Sequence, residues 1–427
     1  MRTKSWTLVT LVLSSAFALN SCTTSVPRTS SSNAMWVATQ DDHMVRAYSI
    51  NRSNGSISPI GNNGRPVATG AQPSAIAVSR DGTTLFIANA GDNSISVYLI
   101  NSDGSLTVSG AAVPVGTAPK AMALDPTSAL LFVANYGSDT IMVFTTTLGS
   151  VTLKSSFAIQ TPVPSGGNGP VALAVTPNTF PCTDNRTATP VTRNCYAIYA
   201  ANQISGTVTA YDYFVDGSGN FVRGAIDLNG NFILGGTVTG SPYSAGTSPS
   251  GLAFSRCAGA SSTTQGAACT LADGNNLFVA NAGSNDVSIF SACIELTTCQ
   301  SGELSPDGTL IKLGSSVAAG SGAATVLVVP ASDFVYIVDR GSNQISEYQY
   351  SPVTGGLTSL GATTPSSTPL VAGAITTNVG NSSNTSSWVV VTTTGALDAF
   401  AIGSNGTLNP RAGQITIPGQ PSAVGIR

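Results

Sequence analysis

The sequence predicts an all-β protein of the seven-bladed β-propeller class, and three observations lead to this prediction. First, a unit of three short apolar runs, at 73–98, is divided by turn residues and returns along the chain. Second, the copies recur at roughly 45–50 residues, a period typical of propeller blades. Third, the two ends of the chain supply the two halves of one further copy.

The repeating unit reads PSAIAVSRDGTTLFIANAGDNSISVY. Its three runs are rich in Ile, Val, Phe and Tyr, which favour strands. The turn residues Asp81-Gly82 and Gly91-Asp92-Asn93 separate the runs and permit tight reversals. The second run, at 85–88, is apolar at every position, which indicates a strand covered on both faces. The unit is therefore predicted to be an antiparallel meander packed between two neighbours.

Six copies follow one another, and a seventh is assembled from both termini. The first halves of the six copies begin at Pro73, Pro119, Pro170, Pro249, Ala324 and Ala372. Residues 35–48 resemble a second half, and 421–426 resemble the missing first half. A fourth strand is expected after each third, as at 105–108 and 407–408. Pairing of the N-terminal strands with the C-terminal strand would close the ring and remove exposed sheet edges.

Composition excludes several classes of function. The 427 residues are only 9% charged, the formal net charge is −3, and His43 is the single histidine. No basic stripe is present, so nucleic-acid binding is not expected. The stretch 215–234 has Asp, Asn and Gly at close spacing but lacks the full spacing of an EF-hand calcium loop. We therefore predict no cofactor and no metal, and expect a monomer.

The N-terminus has the pattern of an export signal. Arg2 and Lys4 precede an apolar run at 6–19, and Leu19-Asn20-Ser21-Cys22 resembles the bacterial lipobox. We predict a lipoprotein signal peptide at 1–21, a lipidated polar tether at 22–34 and the propeller at 35–427. The lipid on Cys22 would anchor the protein to a membrane of the cell envelope, facing the periplasm or the exterior. An ordinary secretory signal with a chance cysteine is the alternative.

The six other cysteines fall into three local pairs, which favours the disulfides Cys182–Cys195, Cys257–Cys269 and Cys293–Cys299. Disulfides require an oxidising compartment, in agreement with export. A metal site is the competing interpretation, but the sequence has no CxxC motif. All three pairs are predicted on one face of the ring, where their loops form either a recognition surface or tolerated insertions.

The repeated core resembles the YVTN-type repeats of the lactonase family, the 6-phosphogluconolactonase-like group of seven-bladed propellers. The residues that carry the resemblance are Ala88-Asn89, Ala134-Asn135, Ala201-Asn202 and Ala280-Asn281. The resemblance covers 35–427 and implies the fold. It implies lactone hydrolysis in the central channel only weakly, because one scaffold carries many functions.

Two sets of residues are candidates for a site on the opposite face. If the second strands lie near the axis, the side chains of Asn89, Asn135, Asn202 and Asn281 ring the mouth of the channel, with Thr39, Asp339 and Val391 at the matching positions. Alternatively, each Asn caps its own turn. The second set consists of residues that differ from the repeat at these turns. Asp42 and His43 follow Asp41 in the turn of the split blade, and Asp339-Arg340 replaces the usual Asn and small residue in another blade.

These departures supply the residue types that lactone hydrolysis needs. Asp42, His43 or Asp339 could act as a general base, and Arg340 could stabilise charge on the carbonyl oxygen. The alternative is that they are solvated turn residues, with Asp339 and Arg340 neutralising one another. The predicted function is an exported scaffold that binds a protein, glycan or small molecule. A lactone hydrolase and a structural protein of the cell envelope are the alternatives.

Overall fold

The apolar runs of each repeat form antiparallel strands, and the strands assemble into seven sheets. The computed structural model describes residues 32–61, 64–147, 150–154, 163–164, 167–186, 188–218, 221–226, 232–234, 236–255, 275–294, 299, 305–329, 332–351, 354–365, 369–376, 387–409 and 413–426. In these parts of the chain, no helix is long and apolar enough to cross a membrane.

The strands in chain order are β1 Ser32–Thr39, β2 Met44–Asn51, β3 Ile57–Pro59, β4 Val67–Ala68, β5 Pro73–Val78, β6 Thr84–Asn89, β7 Ser94–Ile100, β8 Leu106–Val108, β9 Val113–Pro114, β10 Pro119–Leu124, β11 Leu130–Asn135, β12 Thr140–Thr147, β13 Ser150–Lys154, β14 Val163–Pro164, β15 Pro170–Val175, β16 Phe180–Asp184, β17 Val191–Asn202, β18 Thr207–Val215, β19 Phe221–Ile226, β20 Phe232–Leu234, β21 Tyr243–Ser244, β22 Pro249–Phe254, β23 Asn276–Asn281, β24 Asp286–Ala292, β25 Leu310–Lys312, β26 Val317–Ala318, β27 Ala323–Val328, β28 Phe334–Asp339, β29 Gln344–Tyr350, β30 Leu357–Thr363, β31 Leu370–Thr376, β32 Trp388–Thr393, β33 Ala396–Ala401, β34 Gly413–Thr416 and β35 Pro421–Ile426.

Seven sheets form the seven blades, as predicted. Blades 1 to 6 have the orders β5-β6-β7-β8, β10-β11-β12-β13, β15-β17-β18-β19-β20, β22-β23-β24-β25, β27-β28-β29-β30 and β31-β32-β33-β34. Blade 7 has the order β35-β1-β2-β3, so its first strand comes from the C-terminus. The pairing of Met35 with Ile426 and of Val37 with Val424 confirms that the termini close the ring.

The first strand of each blade lies nearest the axis. The strands β5, β10, β15, β22, β27, β31 and β35 contact one another in that order, and β35 contacts β5 to complete the circle. The sequence predicts second strands near the axis, but the first strands lie between them and the axis. Four of the second strands, β6, β11, β23 and β32, are buried at every position, because each is enclosed by its own sheet and by the neighbouring blades.

The core is divided among the junctions between blades. In the described parts of the chain, buried apolar side chains form seven clusters, one at each junction. In β6, Leu85 and Ile87 pack against blade 7, whereas Phe86 packs against blade 2. Alternation along a strand thus sends side chains to two different interfaces, which explains the continuous apolar runs. Burial of this kind contributes about 1.5–3 kcal/mol for each large side chain.

Two boundaries differ from the prediction. Strand β1 begins at Ser32, three residues before the predicted start, because the backbone pairing with β2 continues through Ser32–Asn51 and Asn33–Ile50. The Asn33 Oδ1 accepts a hydrogen bond from Arg52 Nε at 2.8 Å. In blade 6, residues 407–408 form only an isolated bridge between Ile402 and Leu408, and β34 is the fourth strand.

Aromatic side chains link the blades at three of the seven junctions. Trp36 Nε1, Tyr199 Oη and Tyr336 Oη occupy the same position of their second strands, and each donates a hydrogen bond to a glycine carbonyl of the next blade. The acceptors are Gly104 at 3.2 Å, Gly308 at 2.7 Å and Gly406 at 2.6 Å. All three glycines have φ between 71° and 84°, a region that other residues rarely adopt. The motif holds the turn between the third and fourth strands against the preceding blade.

We expect Tyr199→Phe to reduce the free energy of unfolding by about 1 kcal/mol, because the buried Gly308 carbonyl loses its donor. Urea denaturation would measure this as a lower midpoint with an unchanged slope. The matched control is Tyr243→Phe, which removes a solvent-exposed hydrogen bond to the Thr239 carbonyl. Equal effects of the two substitutions would contradict a special contribution from the buried bond.

Two of the three predicted disulfides are present. Cys182–Cys195 and Cys293–Cys299 are bonded, and Cys257–Cys269 lies outside the described residues. The first bond closes the hairpin of β16 with the extended start of β17, on the face opposite the starts of the first strands.

The same hairpin carries an ion-pair cluster. Asp184 is paired with Arg186 and Arg193, and both guanidinium groups also lie over the Phe214 ring at 5.0 and 5.6 Å. The hydrogen bonds from Arg186 have the largest effect and lower the pKa of Asp184 to about 2. Burial of the carboxylate raises the pKa, but by less. The hairpin is therefore an ordered extension of blade 3, and its charges are satisfied internally.

Candidate functional site at the channel mouth

One face of the ring carries both the turns between second and third strands and the entries to the first strands. On this face, the residue that follows each second strand donates its backbone N–H to the carbonyl of the residue that precedes a first strand. The seven donors are Gln40, Ala90, Tyr136, Gln203, Ala282, Arg340 and Thr394. Because the first strands surround the axis, these seven residues surround the mouth of the channel, and we call them the mouth ring.

Arg340 is the only charged member of the mouth ring. Its side chain is exposed to solvent, yet the protein packed around it lowers the pKa of its guanidinium by desolvation. Both properties are expected of a side chain that stands in a water-filled concavity, where water reaches it but protein surrounds it. Within the described residues, no ion pair with Asp339 is present, so the predicted mutual neutralisation does not occur.

A second cation, Lys120, lies at the same end of the channel. It is the second residue of β10, it is exposed, and it is the only charged residue in the seven first strands. At the same position in blades 1 and 4, the Ser74 and Ser250 hydroxyls donate to the first-residue carbonyl of the next blade, at 2.7 and 2.6 Å. Sequence reasoning missed Lys120, although superposing the seven first strands would have revealed it.

The four repeated asparagines lie beneath the mouth. Asn89, Asn135, Asn202 and Asn281 are each 0% exposed. Asn89 Nδ2 donates to Ser94 and Ser96 at 3.1 and 3.0 Å, and its Oδ1 accepts from the Gly70 amide at 3.1 Å. Asn89 and Asn281 join the third strand to the loop that enters the first strand, since the Oδ1 of Asn281 likewise accepts from the Gly246 amide. Asn135 and Asn202 donate to the third strand, but their Oδ1 atoms have no hydrogen-bond partner in the described structure. All four asparagines therefore form scaffold contacts. The pairing of Leu370 with Thr393 shows that Thr393, and not Val391, is the matching residue in blade 6.

His43 is used in a repeated backbone contact. It has φ 57°, and the residues at the same turn position in blades 1, 2, 4 and 5 have φ 53–56°. Those residues, Asn93, Asp139, Asn285 and Asn343, each accept a backbone N–H of the next blade. His43 does the same: its Nδ1 accepts the Gln72 N–H at 3.2 Å. The side chain therefore links blade 7 to blade 1, which accounts for its presence without catalysis.

Three variants of His43 test this structural role. We expect His43→Asn to keep the thermal stability, because Asn tolerates the positive φ and offers an acceptor. His43→Gly keeps the backbone but loses the acceptor, and His43→Ala also incurs backbone strain, so the two should cost about 0.5 and 1–2 kcal/mol respectively. Thermal unfolding measures all three. An Asn variant as unstable as the Ala variant would contradict the proposed contact.

The two acids of the same turn, Asp41 and Asp42, also form contacts within the protein. Asp42 forms an ion pair with Arg46 and accepts a hydrogen bond from the Thr39 hydroxyl. Burial opposes ionisation, but the bonds from Arg46 and Thr39 outweigh it and lower the pKa of Asp42. Asp41 Oδ1 accepts the Gln420 N–H at 2.7 Å. A carboxylate with a lowered pKa is a weak base, so Asp42 is poorly suited to proton abstraction.

Asp339 differs from the other acids. It occupies the position of the repeated asparagines and is 0% exposed. Its Oδ2 accepts the Ser346 hydroxyl at 2.6 Å, and its Oδ1 has no hydrogen-bond partner in the described structure. Burial raises the pKa of Asp339 to about 6, against the weaker opposing effect of the Ser346 hydrogen bond. A carboxyl group with this pKa changes its charge near neutral pH.

The four catalytic candidates do not form one cluster. Asp42 and His43 belong to blade 7 and Asp339 and Arg340 to blade 5, with blade 6 between them. No hydrogen bond or ion pair between the two pairs is found among the described residues. The described side chains also contain no group of three His, Cys, Asp or Glu that could hold a metal ion. The mouth therefore has two cations, Arg340 in blade 5 and Lys120 in blade 2, and the buried acid Asp339 directly precedes Arg340 in the chain.

Comparison with known proteins agrees with the fold. Residues 29–168 match the family model described as "Lactonase, 7-bladed beta-propeller". No curated protein matches the chain. The periplasmic gluconolactonase of Pseudomonas aeruginosa has a similar structure, with a TM-score of 0.63 at 17% identity, over 93% of this chain and 99% of that one.

Two further solved structures are similar. A candidate 6-phosphogluconolactonase from Bacteroides uniformis gives a TM-score of 0.63 at 15% identity, over 93% of this chain and all of that one. A protein of unknown function from Desulfotomaculum acetoxidans gives 0.57 at 14% identity, over 92% and 98%. The chain thus has the seven-bladed β-propeller fold, and the first third of its sequence carries the lactonase-type pattern.

Proposed function

We propose that this protein is an exported, lipid-anchored propeller that binds a small organic anion at the mouth of its channel without catalysis. One observation carries the proposal. Arg340 and Lys120 are the only charged residues of the mouth ring and the first strands, and no acid is present in either set. Two cations with no acid among the residues that surround a channel mouth favour an anionic ligand.

The remaining groups at the mouth fit a polar ligand. Each first strand is paired on one edge only, so its other edge turns backbone N–H and C=O groups toward the channel. These groups can bond to ligand hydroxyls or to water. Sugar acids combine hydroxyls with a carboxylate, and two of the similar structures are named after enzymes that act on sugar lactones. We therefore choose D-gluconate as the probe.

The binding experiment uses the mature protein without its signal segment. We expect calorimetry to detect D-gluconate binding that Arg340→Ala abolishes and Arg340→Lys weakens. Lys120→Ala should weaken binding by less, because Lys120 has a flexible side chain. Neutral D-glucose, which lacks the carboxylate, is the ligand control. Equal gluconate affinities of wild type and Arg340→Ala would overturn the proposed function.

A lactone hydrolase is the second candidate, and the match of residues 29–168 to the lactonase model favours it. Asp339 is then the remaining candidate for a base, because it is the acid with a raised pKa beside Arg340. The discriminating measurement is the rate of D-glucono-δ-lactone hydrolysis with and without the protein. Acceleration that Arg340→Ala and Asp339→Asn both remove would establish the hydrolase and exclude the non-catalytic proposal.

The cellular location follows from the N-terminal sequence. Lipidation of Cys22 would place the protein in the cell envelope, and the two disulfides agree with an oxidising compartment. Metabolic labelling with palmitate should mark the wild-type protein and leave Cys22→Ala unlabelled. Labelling of the Cys22→Ala variant would contradict the lipid anchor.

A further inference from the structure

We propose that the sector of the channel mouth between blades 2 and 3 is a subsite for an aromatic carboxylate, whose ring lies on Tyr136 and Ile204 and whose carboxylate pairs with Lys120. The subsite goes beyond the proposed function, because it shares Lys120 with that function but does not involve Arg340. Its evidence is the identity of two apolar side chains, their common contact with one glycine, and the direction in which Lys120 leaves its strand.

Two apolar side chains in this sector replace smaller residues of the repeat. Tyr136 occupies the mouth-ring position at which blades 1 and 4 have Ala90 and Ala282. Ile204 directly follows the mouth ring in blade 3, and its backbone N–H bonds to the loop before the first strand. Blades 1, 2, 4 and 5 make the same backbone bond with a glycine, namely Gly91, Gly137, Gly283 and Gly341. Both replacements add apolar surface to the rim of the mouth.

The two side chains flank Gly169, the residue that precedes β15. A Cβ built on Gly169 would lie 2.8 Å from Tyr136 Cε2 and 2.9 Å from Ile204 Cγ1. The glycine itself is held on both sides: its N–H donates to Asp139 Oδ1 at 2.7 Å, and its carbonyl accepts the Gln203 N–H at 2.8 Å. The pair is therefore a local apolar surface on a fixed loop.

This apolar surface is open to solvent. Ile204 is 64% exposed and Tyr136 is half-buried, whereas side chains that only filled the space beside a glycine would be buried. Among the described residues, the other exposed large apolar side chains are Val108, Val191 and Val215, and none of them belongs to the mouth. An exposed apolar surface at the rim of a channel favours contact with a ligand.

Lys120 leaves its strand toward the same sector. It lies at the bulge in the pairing of β10 with β11, and Ser74 and Ser250 occupy the same bulge in blades 1 and 4. Their hydroxyls reach the first-residue carbonyl of the next blade. For Lys120 the corresponding first residue is Pro170, which directly follows Gly169. The side chain of Lys120 therefore starts toward the loop that carries the apolar pair, and it is exposed.

The combination of groups selects one class of ligand. A planar aromatic ring can stack on Tyr136 and cover Ile204, which removes apolar surface from water. A carboxylate on that ring can pair with the Lys120 ammonium, which has no ion pair among the described residues. A sugar acid presents hydroxyls where the apolar ring would lie, so this sector should distinguish the two classes of anion.

The experiment measures the affinity of the purified protein for benzoate by ligand-observed NMR titration. Benzamide is the uncharged control, and D-gluconate is the anion without an apolar ring. We expect Tyr136→Ala to weaken benzoate binding roughly 10-fold, because it removes the stacking surface. Lys120→Ala should weaken it by roughly the same factor, and Lys120→Arg should retain binding. Ile204→Gly should weaken it roughly 3-fold, because less apolar surface is covered.

The two apolar substitutions introduce residues that the repeat already carries. Alanine stands in the mouth ring at Ala90, and glycine follows the mouth ring at Gly137, so Tyr136→Ala and Ile204→Gly should keep the fold. Thermal unfolding of each variant checks this. The matched control is Val108→Ala, which trims an exposed apolar side chain outside the mouth and should leave benzoate binding unchanged.

The outcomes separate this subsite from the proposed function. Equal benzoate affinities of wild type and Tyr136→Ala would overturn the subsite, and so would benzamide binding as tight as that of benzoate. Gluconate binding that depends on Arg340, without any benzoate binding, would overturn the subsite alone. Benzoate binding that depends on Tyr136 and Lys120, in a protein that does not bind gluconate, would support the subsite and overturn the proposed function at Arg340.

Discussion

Deletion of residues 421–427 is expected to abolish cooperative folding. The deletion removes β35, which pairs with β1 and contacts the first strands β31 and β5 on either side. It leaves a gap in the ring, frees one edge of β1 and uncovers the cluster that contains Met35, Val390 and Trp388. The expected loss of unfolding free energy is comparable with the entire unfolding free energy of a typical domain, about 5–15 kcal/mol.

The deletion should yield a protein that aggregates or unfolds without a cooperative transition, as measured by calorimetry and size-exclusion chromatography. Ser422→Ala is the matched control: it removes one 3.3 Å bond to the Ala38 carbonyl and keeps the strand, so its stability should change by less than about 1 kcal/mol. Adding a synthetic peptide of residues 420–427 should partly restore the transition. A truncated chain that melts within a few degrees of the intact one would show that ring closure is dispensable.

Asp339→Asn is expected to stabilise the protein by about 2–3 kcal/mol at pH 7.5. The carboxyl has a folded-state pKa of about 6 and a reference value of 3.8. Because one pKa unit corresponds to about 1.4 kcal/mol, the buried charge costs about 3 kcal/mol above the folded-state pKa. An asparagine at this position can also donate to Ser346, as Asn89 donates to Ser96.

The pH dependence has a definite sign. Between about pH 4 and 6 the folded state binds more protons at Asp339 than the unfolded state does, so stability falls as pH rises through this range. The difference between wild type and Asp339→Asn should therefore be small at pH 4 and fully developed above pH 6.5. Urea denaturation at several pH values measures it.

Asn89→Asp supplies the converse test. It places a carboxyl at the same buried position in blade 1, between Ser94 and Ser96. It should introduce a comparable loss of stability above neutral pH. If Asp339→Asn destabilises the protein at pH 7.5, the carboxylate must have a partner that the present geometry does not provide, and the raised pKa would be wrong.

The sequence by itself determined the architecture of this protein. The repeated strand–turn–strand pattern gave the number of blades, and the incomplete copies at 35–48 and 421–426 gave the ring closure. Both are local or periodic properties, because turn residues and apolar runs record the strand pattern directly. The pairing of Cys182 with Cys195 and of Cys293 with Cys299 was also predictable, because each closes a short loop.

The tertiary structure alone decided which residues can act. Asp42, His43, Asp339 and Arg340 have similar turn positions in the sequence, yet His43 bonds to the next blade, Asp42 is paired with Arg46, and Asp339 is buried. Lys120 resembles an ordinary surface lysine until the ring places its strand at the axis. Accessibility and charge at the mouth depend on contacts between residues of different blades, and no local sequence pattern records those contacts.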